Sequence, residues 1–421
     1  MKNTTRSLLK SQRFHLHWAW VILTVCFCDL LINYSGRLGY TLIFPEMIRS
    51  IGLRRVDGGT IYNAYLLTYI AFSPLTGWLS DRFGVRRVIL VCLIVLGIGL
   101  GFMGTAHSLG SACLFYGIAG LGATGMWTPV LALVQRWFAP QRRGLALGIL
   151  SASYGLGFAV LGGIFPWFQA VWGWRTLWMT LAASALGFMF VNAVMIRETP
   201  ESCGCRPWGA GSSFNDFPET TSEISTNGTG PRWFRTRRFW LIGCSYFAVS
   251  FGVYGITTFM VDYARMQVGL PVEKASFLAT LHGIGQMIGV LMLMPMSDLL
   301  GRRRMIIVSN ACLTVSLIGI LIWGGVQPLL YFLIALVGVS FGVTFPLYGA
   351  CAGDYFERRQ IGTVIGAWTP FYGCGAVLTH WVTGILCDVS GAYDRAFLIN
   401  ALMAACGLVL MWMVPKKRPR G

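Results

Sequence analysis

From residue 18 to residue 414 the chain is a succession of apolar stretches, each close to the roughly 20 residues that carry a helix across a bilayer, separated by short charged or glycine-containing turns. They lie near 18–45, 58–80, 88–106, 109–135, 144–168, 176–196, 239–263, 274–297, 305–323, 327–352, 361–386 and 396–414. Hydrophobic residues make up 55% of the chain and charged residues 12%, with a mean hydropathy of +0.63, outside the range of soluble domains. The expectation is an all-α integral membrane protein with twelve transmembrane helices.

One turn occurs twice. Gly77-Trp-Leu-Ser-Asp81-Arg82-Phe-Gly84-Val-Arg86-Arg87 follows the second span, and a degraded copy, Met294-Pro-Met-Ser-Asp298-Leu-Leu-Gly301-Arg302-Arg303-Arg304, follows the eighth, 217 residues later. Phe138, Gly144, Gly148, Gly155 and Gly173 map onto Phe356, Gly362, Gly366, Gly373 and Gly391 at an offset of 218. A near-constant offset indicates internal duplication, hence two pseudo-symmetric six-helix halves, 1–196 and 239–421. Residues 197–238 between them are rich in Pro, Gly, Ser, Asp, Glu and Asn, the composition of a mobile linker.

A formal charge of +17 would suggest nucleic acid in a soluble protein, but its distribution has another cause. With both termini in the cytoplasm, 25 of the 33 Lys and Arg fall in inner segments and 7 in outer ones, Arg49, Arg54, Arg55, Arg175, Arg265, Lys274 and Arg395, while Arg37 lies within a span. The basicity therefore follows the positive-inside rule and predicts a multi-pass protein of the cell (inner) membrane with its lipid bilayer as solvent and no nucleic-acid partner. Arg49, Arg54 and Arg55 fit that pattern least. Lys2, Arg6, Lys10 and Arg13 precede the first span with no small-residue cleavage site after a short apolar run, so that span is expected to be retained. Twelve cysteines at no metal-ligand spacing read as small apolar residues. Cys203 and Cys205 are the two expected to reach solvent, and Asn227, in Asn-Gly-Thr, falls on the predicted cytoplasmic side, away from glycosylation.

The repeated turn at 77–87 resembles the signature between the second and third spans of the major facilitator superfamily, and the resemblance extends over essentially the whole chain. It implies two halves rocking about a central site near the bilayer midplane. It also implies that Asp81, Arg82, Arg86 and Arg87 are gating residues on the cytoplasmic face, with Asp298 and Arg302 their counterparts in the second half, where Leu299 replaces Arg82. Physically, carboxylates near helix ends facing guanidinium groups make charge-assisted bonds that break as helices slide. The plainer alternative is that these arginines only anchor topology.

Charges inside a bilayer are costly, roughly 3 kcal/mol on insertion scales, and the first span contains Asp29 and Arg37. Asp29 lies about 16 Å in from Trp18, near the midplane, and Arg37 about 28 Å in, nearer the outer interface. Arg37 either faces a cavity or snorkels outward. The segment Ile32-Asn33-Tyr34-Ser-Gly-Arg37 resembles the first-span motif of the anion:cation symporters, whose arginine binds the substrate carboxylate, a task suited to a bidentate guanidinium; Gly36 here stands where that motif has an acidic residue. Tyr34-Ser35, Ser153-Tyr154-Gly155-Leu-Gly157, and Gly353-Asp354-Tyr-Phe-Glu-Arg358-Arg359 with Gly362-Thr-Val-Ile-Gly366 resemble the oxalate/formate and monocarboxylate transporters. Both resemblances imply a small organic anion.

His282 is expected near the midplane with Gln286 one turn on, where a histidine can donate to an anion or change protonation state, or simply pack. Asp29 is the candidate coupling group for a proton or cation, since burial favours a neutral carboxyl, or it is one half of a structural pair. Tyr154, Tyr254, Tyr348, Trp368 and Tyr372 are candidates for the pathway because each lies near the midplane or a glycine-rich break. No nucleotide loop, metal constellation or nucleophile triad is present, so neither a cofactor nor an enzyme is expected. The sequence points to a monomeric secondary carrier for a small carboxylate-type anion, in proton-coupled uptake by alternating access. The alternatives are an exporter of drugs or metabolites and a non-transporting sensor or assembly factor on the same fold.

Overall fold

The computed structural model describes residues 17–139, 142–209, 233–356 and 361–415. Among them run thirteen α-helices. Six fall in the first half: α1 Trp18–Ile51, α2 Arg55–Phe83, α3 Val85–Met103, α4 Leu109–Ala123, α5 Thr128–Trp137 and α6 Arg143–Met195. The second half has α7 Arg237–Met266, α8 Val272–Ile288, α9 Met294–Leu300, α10 Arg302–Trp323, α11 Gln327–Tyr355, α12 Ile361–Ser390 and α13 Asp394–Met413.

These compose twelve crossings once three junctions are resolved. A 3₁₀ turn at Thr124–Met126 joins α4 to α5, and a π-helical turn at Gly289–Leu293 joins α8 to α9. The 53-residue α6 is broken at Gly173, whose φ of 73° takes it out of the helix, so it accounts for the fifth and sixth crossings. By length and composition, nine helical stretches among the described residues are apolar enough to span a membrane; α6 supplies two crossings, and α2 and α12 complete the twelve.

The duplication is visible in the backbone. Gly52 and Gly269 have φ of 77° and 75°, Gly84 and Gly301 both 91°, and Gly173 and Gly391 73° and 70°. The same turns therefore recur at offsets of 217 or 218 residues. A left-handed conformation suits glycine because a Cβ would clash with the backbone.

Helix ends differ from the expected spans by a few residues, with one consequence. The first span was expected to stop at 45, but α1 continues through Pro45 to Ile51, closed by Gly52, whose N–H bonds the Ile48 carbonyl. Arg37 thus sits about 21 Å from the far end of α1 rather than near an interface. Within the segment 197–238, Trp208 is tied to the first half: Ala139 N–H donates to the Trp208 carbonyl (3.0 Å) and Trp208 N–H to that of Trp137 (2.9 Å). Trp208 packs edge-on to Trp20 and Phe138, pinning 196–209 to the first half. Asn227 lies outside the described residues.

The halves meet along α1 with α7, α2 with α12, and α6 with α8. Glycines permit the last two approaches. A Cβ on Gly155 would lie 2.2 Å from the Gly283 carbonyl oxygen and one on Gly283 2.4 Å from that of Gly155, while one on Gly384 would lie 2.6 Å from Val56 Cα. Small residues that let backbones touch are the packing device available where lipid removes the hydrophobic drive between helices.

Candidate substrate cavity

Between the halves lies a cavity of about 780 Å³. Its inner end is formed by Tyr34, Arg37, Tyr69 and Tyr254, its middle by Trp127, Tyr154, Gln286, Phe341, Phe345 and Tyr372, and its other end by Gly144, Leu145, Met294 and Asp298. Leu145 is 48% exposed and the Asp298 side chain 66%. The cavity therefore opens at the end of the bundle carrying the two charged turns.

Arg37 projects from the middle of α1 into this space, where Nη2 donates to the Tyr254 hydroxyl of α7 (2.7 Å). Its guanidinium carbon is 5.9 Å from the Tyr34 ring, 5.7 Å from that of Tyr69 and 5.9 Å from that of Tyr254. The Tyr116 hydroxyl, from α4, holds the backbone by donating to the Gly36 and Arg37 carbonyls (3.1 and 3.2 Å). No carboxylate of the described residues pairs with Arg37, and its Nε is buried without a partner. Ring faces attract a cation without using its in-plane donors, of which Nη2 is engaged by Tyr254 and Nε is left over. The cavity thus ends in a desolvated guanidinium with donor capacity that no carboxylate of the described residues takes up.

The opposite end of the bundle is closed by bonds between the halves. Arg55 Nε at the start of α2 donates to Asp262 of α7 (2.7 Å). Asp388 of α12 accepts from the Arg55 and Val56 N–H groups (3.1 and 2.9 Å), capping α2 from the other half. Arg265 pairs with Glu46, which also receives Arg49 at 3.5 Å. Deeper in, Asn63 donates to the Val377 carbonyl (2.9 Å) and its Oδ1 lies 2.7 Å from His380 Nδ1. All three outer arginines that fit the charge count least thus have carboxylate partners at this end, Arg49 with Glu46, Arg54 with Asp57 (3.5 Å) and Arg55 with Asp262.

Of the sequence candidates, Tyr34, Arg37, Tyr154, Tyr254, Gln286 and Tyr372 line the cavity, and Asp298 stands at its mouth. Asn33, His282, Tyr348 and Trp368 do not. Asn33 accepts from the Tyr65 hydroxyl (3.3 Å). His282 lies behind Gln286, between the Thr257 hydroxyl (3.0 Å) and the Gln286 amide (2.9 Å). Tyr348 is held by Ser245 and Asn310 (2.7 and 3.0 Å) and stacks on Tyr246, while Trp368 donates to the Phe239 carbonyl (3.1 Å). Asp29 also lies away from the cavity and is fully buried; Oδ1 accepts from Asn192 of α6 (2.7 Å), and Oδ2 has no partner among the described residues. Tyr69, Trp127, Phe341 and Phe345 were missed. Tyr69 had a signal, since it continues the helical stripe of Tyr62 and Tyr65; the other three had none beyond their aromatic character.

The sequence model of the Major Facilitator Superfamily matches residues 26–276 and 242–421. The chain belongs to this superfamily. As a member it is a multi-pass membrane protein and a secondary transporter rather than an enzyme. It is 23% identical over 402 residues to a "Probable sulfoacetate transporter" of Cupriavidus necator, covering 92% of this chain and 91% of the relative. To a "Hexuronate transporter" of Bacillus subtilis it is 21% identical, covering 89% of each. Among solved structures, a bacterial homolog of the human lysosomal transporter Spinster, captured inward-facing and occupied, superposes with a TM-score of 0.71 at 14% identity, over 94% of this chain and 97% of that one.

The superfamily turn itself is open here. Asp81, Arg86 and Arg87 line a second hollow of about 700 Å³ with Arg197 and Glu198. Arg86 donates to the Ala193 carbonyl, and Arg82 lies over the Trp78 ring, 5.2 Å from its centroid. In the second half Arg302 lies between Asp298 (3.2 Å) and Asp354 (3.8 Å) and donates to the Ala350 carbonyl (3.0 Å). These contacts stay within their own halves.

Proposed function

We propose that the protein carries a small carboxylate-type organic anion across the cell membrane by alternating access, with Arg37 as the anion anchor. The observation that carries this reading is the guanidinium at the blind end of an aromatic cavity, between the halves and without a carboxylate partner among the described residues. An anion supplies what that site lacks. It would bind Arg37 of α1 while touching α7 and α8 through Tyr254 and Gln286, so its presence favours closure of the halves around it.

In this reading the structure is the inward-facing state: the cavity opens toward the side that the distribution of Lys and Arg assigns to the cytoplasm, and the chain sits in the inner membrane with both termini inside. The halves 1–196 and 239–421 rock about the site. The Asp81 to Arg87 turn and the Asp298–Arg302 pair form their inter-half lock in the outward-facing state. Asp29 is the coupling carboxyl for proton-driven uptake, and one chain suffices, since both halves of the pathway are present in it. The relatives named for sulfoacetate and hexuronate are consistent with an anionic substrate.

The test is uptake of radiolabelled mono- and dicarboxylates, sulfonates and sugar acids into proteoliposomes of purified protein, beside Arg37→Ala and Arg37→Lys. At least one anion should be taken up, lost in Arg37→Ala and reduced more than tenfold in Arg37→Lys, because an ammonium cannot reproduce the planar fork. Anion transport indifferent to Arg37, or no anion transport at all, refutes the assignment.

A further inference from the structure

Resting on the reading of Arg37 as the anion anchor, we propose that the substrate is a monoanion with an apolar, ring-sized body, and that dianions and polyhydroxylated sugar acids are poor ligands. Charge is the first argument. Arg37 is the one cationic side chain lining the cavity among the described residues, and the other charged residue there is the acidic Asp298 at the mouth. A second carboxylate or a phosphate would be stripped of water with nothing opposite it, and unpaired charge away from water is strongly disfavoured.

The walls are the second argument. Beyond Arg37 the walls are largely ring faces: Trp127 of the first half lies with its centroid 6.2 Å from that of Phe345 of the second, and within the second half Phe341 packs 5.3 Å from the Tyr254 ring. The tyrosine hydroxyls on these walls are already engaged, Tyr34 with Tyr154, Tyr69 with Ser73, and Tyr254 with both Arg37 and Tyr372, and other polar side chains are spent on their own helices. Ser151 donates to the Leu147 carbonyl (2.8 Å), Thr369 to that of Ile365 (3.0 Å), and the Gln286 amide to His282 (2.9 Å). Gln286 Oε1 remains as a buried acceptor without a partner among the described residues, enough for one donor and not for the ring of hydroxyls of a sugar acid. Such hydroxyls would lose water without replacement, whereas an apolar ring is favoured against these faces. A cavity of about 780 Å³ lies within the range of roughly 300–1,000 Å³ for small-molecule sites.

The experiment is a competition panel on the full-length protein in proteoliposomes, with phenylacetate, cyclohexanecarboxylate, propionate, glucuronate, succinate and phosphate as probes, each repeated on Arg37→Ala, Trp127→Ala and the more conservative Trp127→Phe. Both ring-bearing monoanions should bind at least tenfold tighter than glucuronate, succinate or phosphate. Trp127→Ala should weaken them tenfold while leaving propionate within twofold, and Trp127→Phe should retain ring binding. Arg37-dependent binding in which glucuronate, succinate or phosphate matches or exceeds the ring acids overturns this inference and leaves the anion carrier standing. Arg37-dependent binding of the ring acids that Trp127→Ala does not weaken overturns the assignment of the aromatic wall. No probe binding, or binding unaffected by Arg37→Ala, overturns the carrier reading beneath it.

Discussion

The closed end of the bundle yields the most quantitative expectation. Asp262 is buried, with 4% of its side chain exposed, and accepts from Arg55 across the interface (2.7 Å) and from the Tyr393 hydroxyl within its own half (2.6 Å). Separating the halves at this end breaks the first bond and keeps the second. A net hydrogen bond to a charged group is worth roughly 1.5–3 kcal/mol. Arg55 retains 26% of its side chain exposed, so water screens the pair from one side, and the low part of that range applies, about 1.5–2 kcal/mol. Asp262→Asn keeps the shape and the Tyr393 contact but removes the charge. It should shift the ratio of closed to open states at this end by about 10- to 30-fold, since each ~1.4 kcal/mol is a factor of ten. Spin labels at exposed Arg54 and Glu273, one on each half, would report the two states as distinct distance populations by double electron–electron resonance. Arg55→Gln should produce a similar shift, and the double variant little more than either alone, because both remove one interaction. A ratio changed less than twofold by Asp262→Asn, or fully additive single variants, would refute the latch.

Other perturbations test other links. Gly283→Leu forces a side chain onto the Gly155 carbonyl, 2.4 Å from the built Cβ and unable to yield; the detergent-purified variant should lose several degrees of melting temperature or fail to fold, and an unchanged melting curve would contradict the packing. Asp29→Asn keeps a hydrogen-bonding group beside Asn192 but cannot exchange a proton; counterflow should persist while accumulation driven by a pH gradient is lost, and intact gradient-driven uptake would remove Asp29 from coupling. Trp208→Ala removes the ring packed on Trp20 and Phe138, so limited proteolysis should cut the segment before residue 209 faster, by about tenfold for a loss near 1.4 kcal/mol of local opening energy.

The number and length of the crossings were legible because lipid imposes them: a helix that spans must be about 20 residues long and apolar, and a duplicated chain repeats its turns. Facing was not. His282 and Gln286 are one helical turn apart, yet Gln286 lines the cavity and His282 is consumed behind it by Thr257. Tyr348 and Trp368 are satisfied by Ser245, Asn310 and the Phe239 carbonyl, partners on other helices whose azimuth no single-span pattern carries. Arg37 was ambiguous for a related reason. The residues that extend α1 to Ile51 include Glu46 and Arg49, which look like the start of a loop until Arg265 is found beside them.

The duplication offset acquires a functional meaning at the cavity. Arg37 and Tyr254 are 217 residues apart, the same offset that relates Gly52 to Gly269 and Gly84 to Gly301. They are therefore equivalent positions in α1 and α7, meeting at the pseudo-twofold axis. A symmetric pair of arginines there would place two like charges in contact in a low-dielectric space, which is unfavourable without an anion between them. Replacing one by tyrosine removes the repulsion, supplies a hydroxyl that accepts from the remaining guanidinium, and keeps the apo cavity closed at its blind end. The charge then belongs to one half only. In the proposed carrier an anion bound to Arg37 would move with α1, and the second half would follow it through the Tyr254 hydroxyl that it also touches. Tyr254→Phe would leave the guanidinium without its neutral partner in the empty cavity while sparing the anion's own contact with Arg37. Binding should then weaken by no more than a few-fold while the rate of exchange between the two faces changes more. A variant that loses affinity as steeply as Arg37→Ala would show instead that the hydroxyl contributes as much to holding the anion as the guanidinium does.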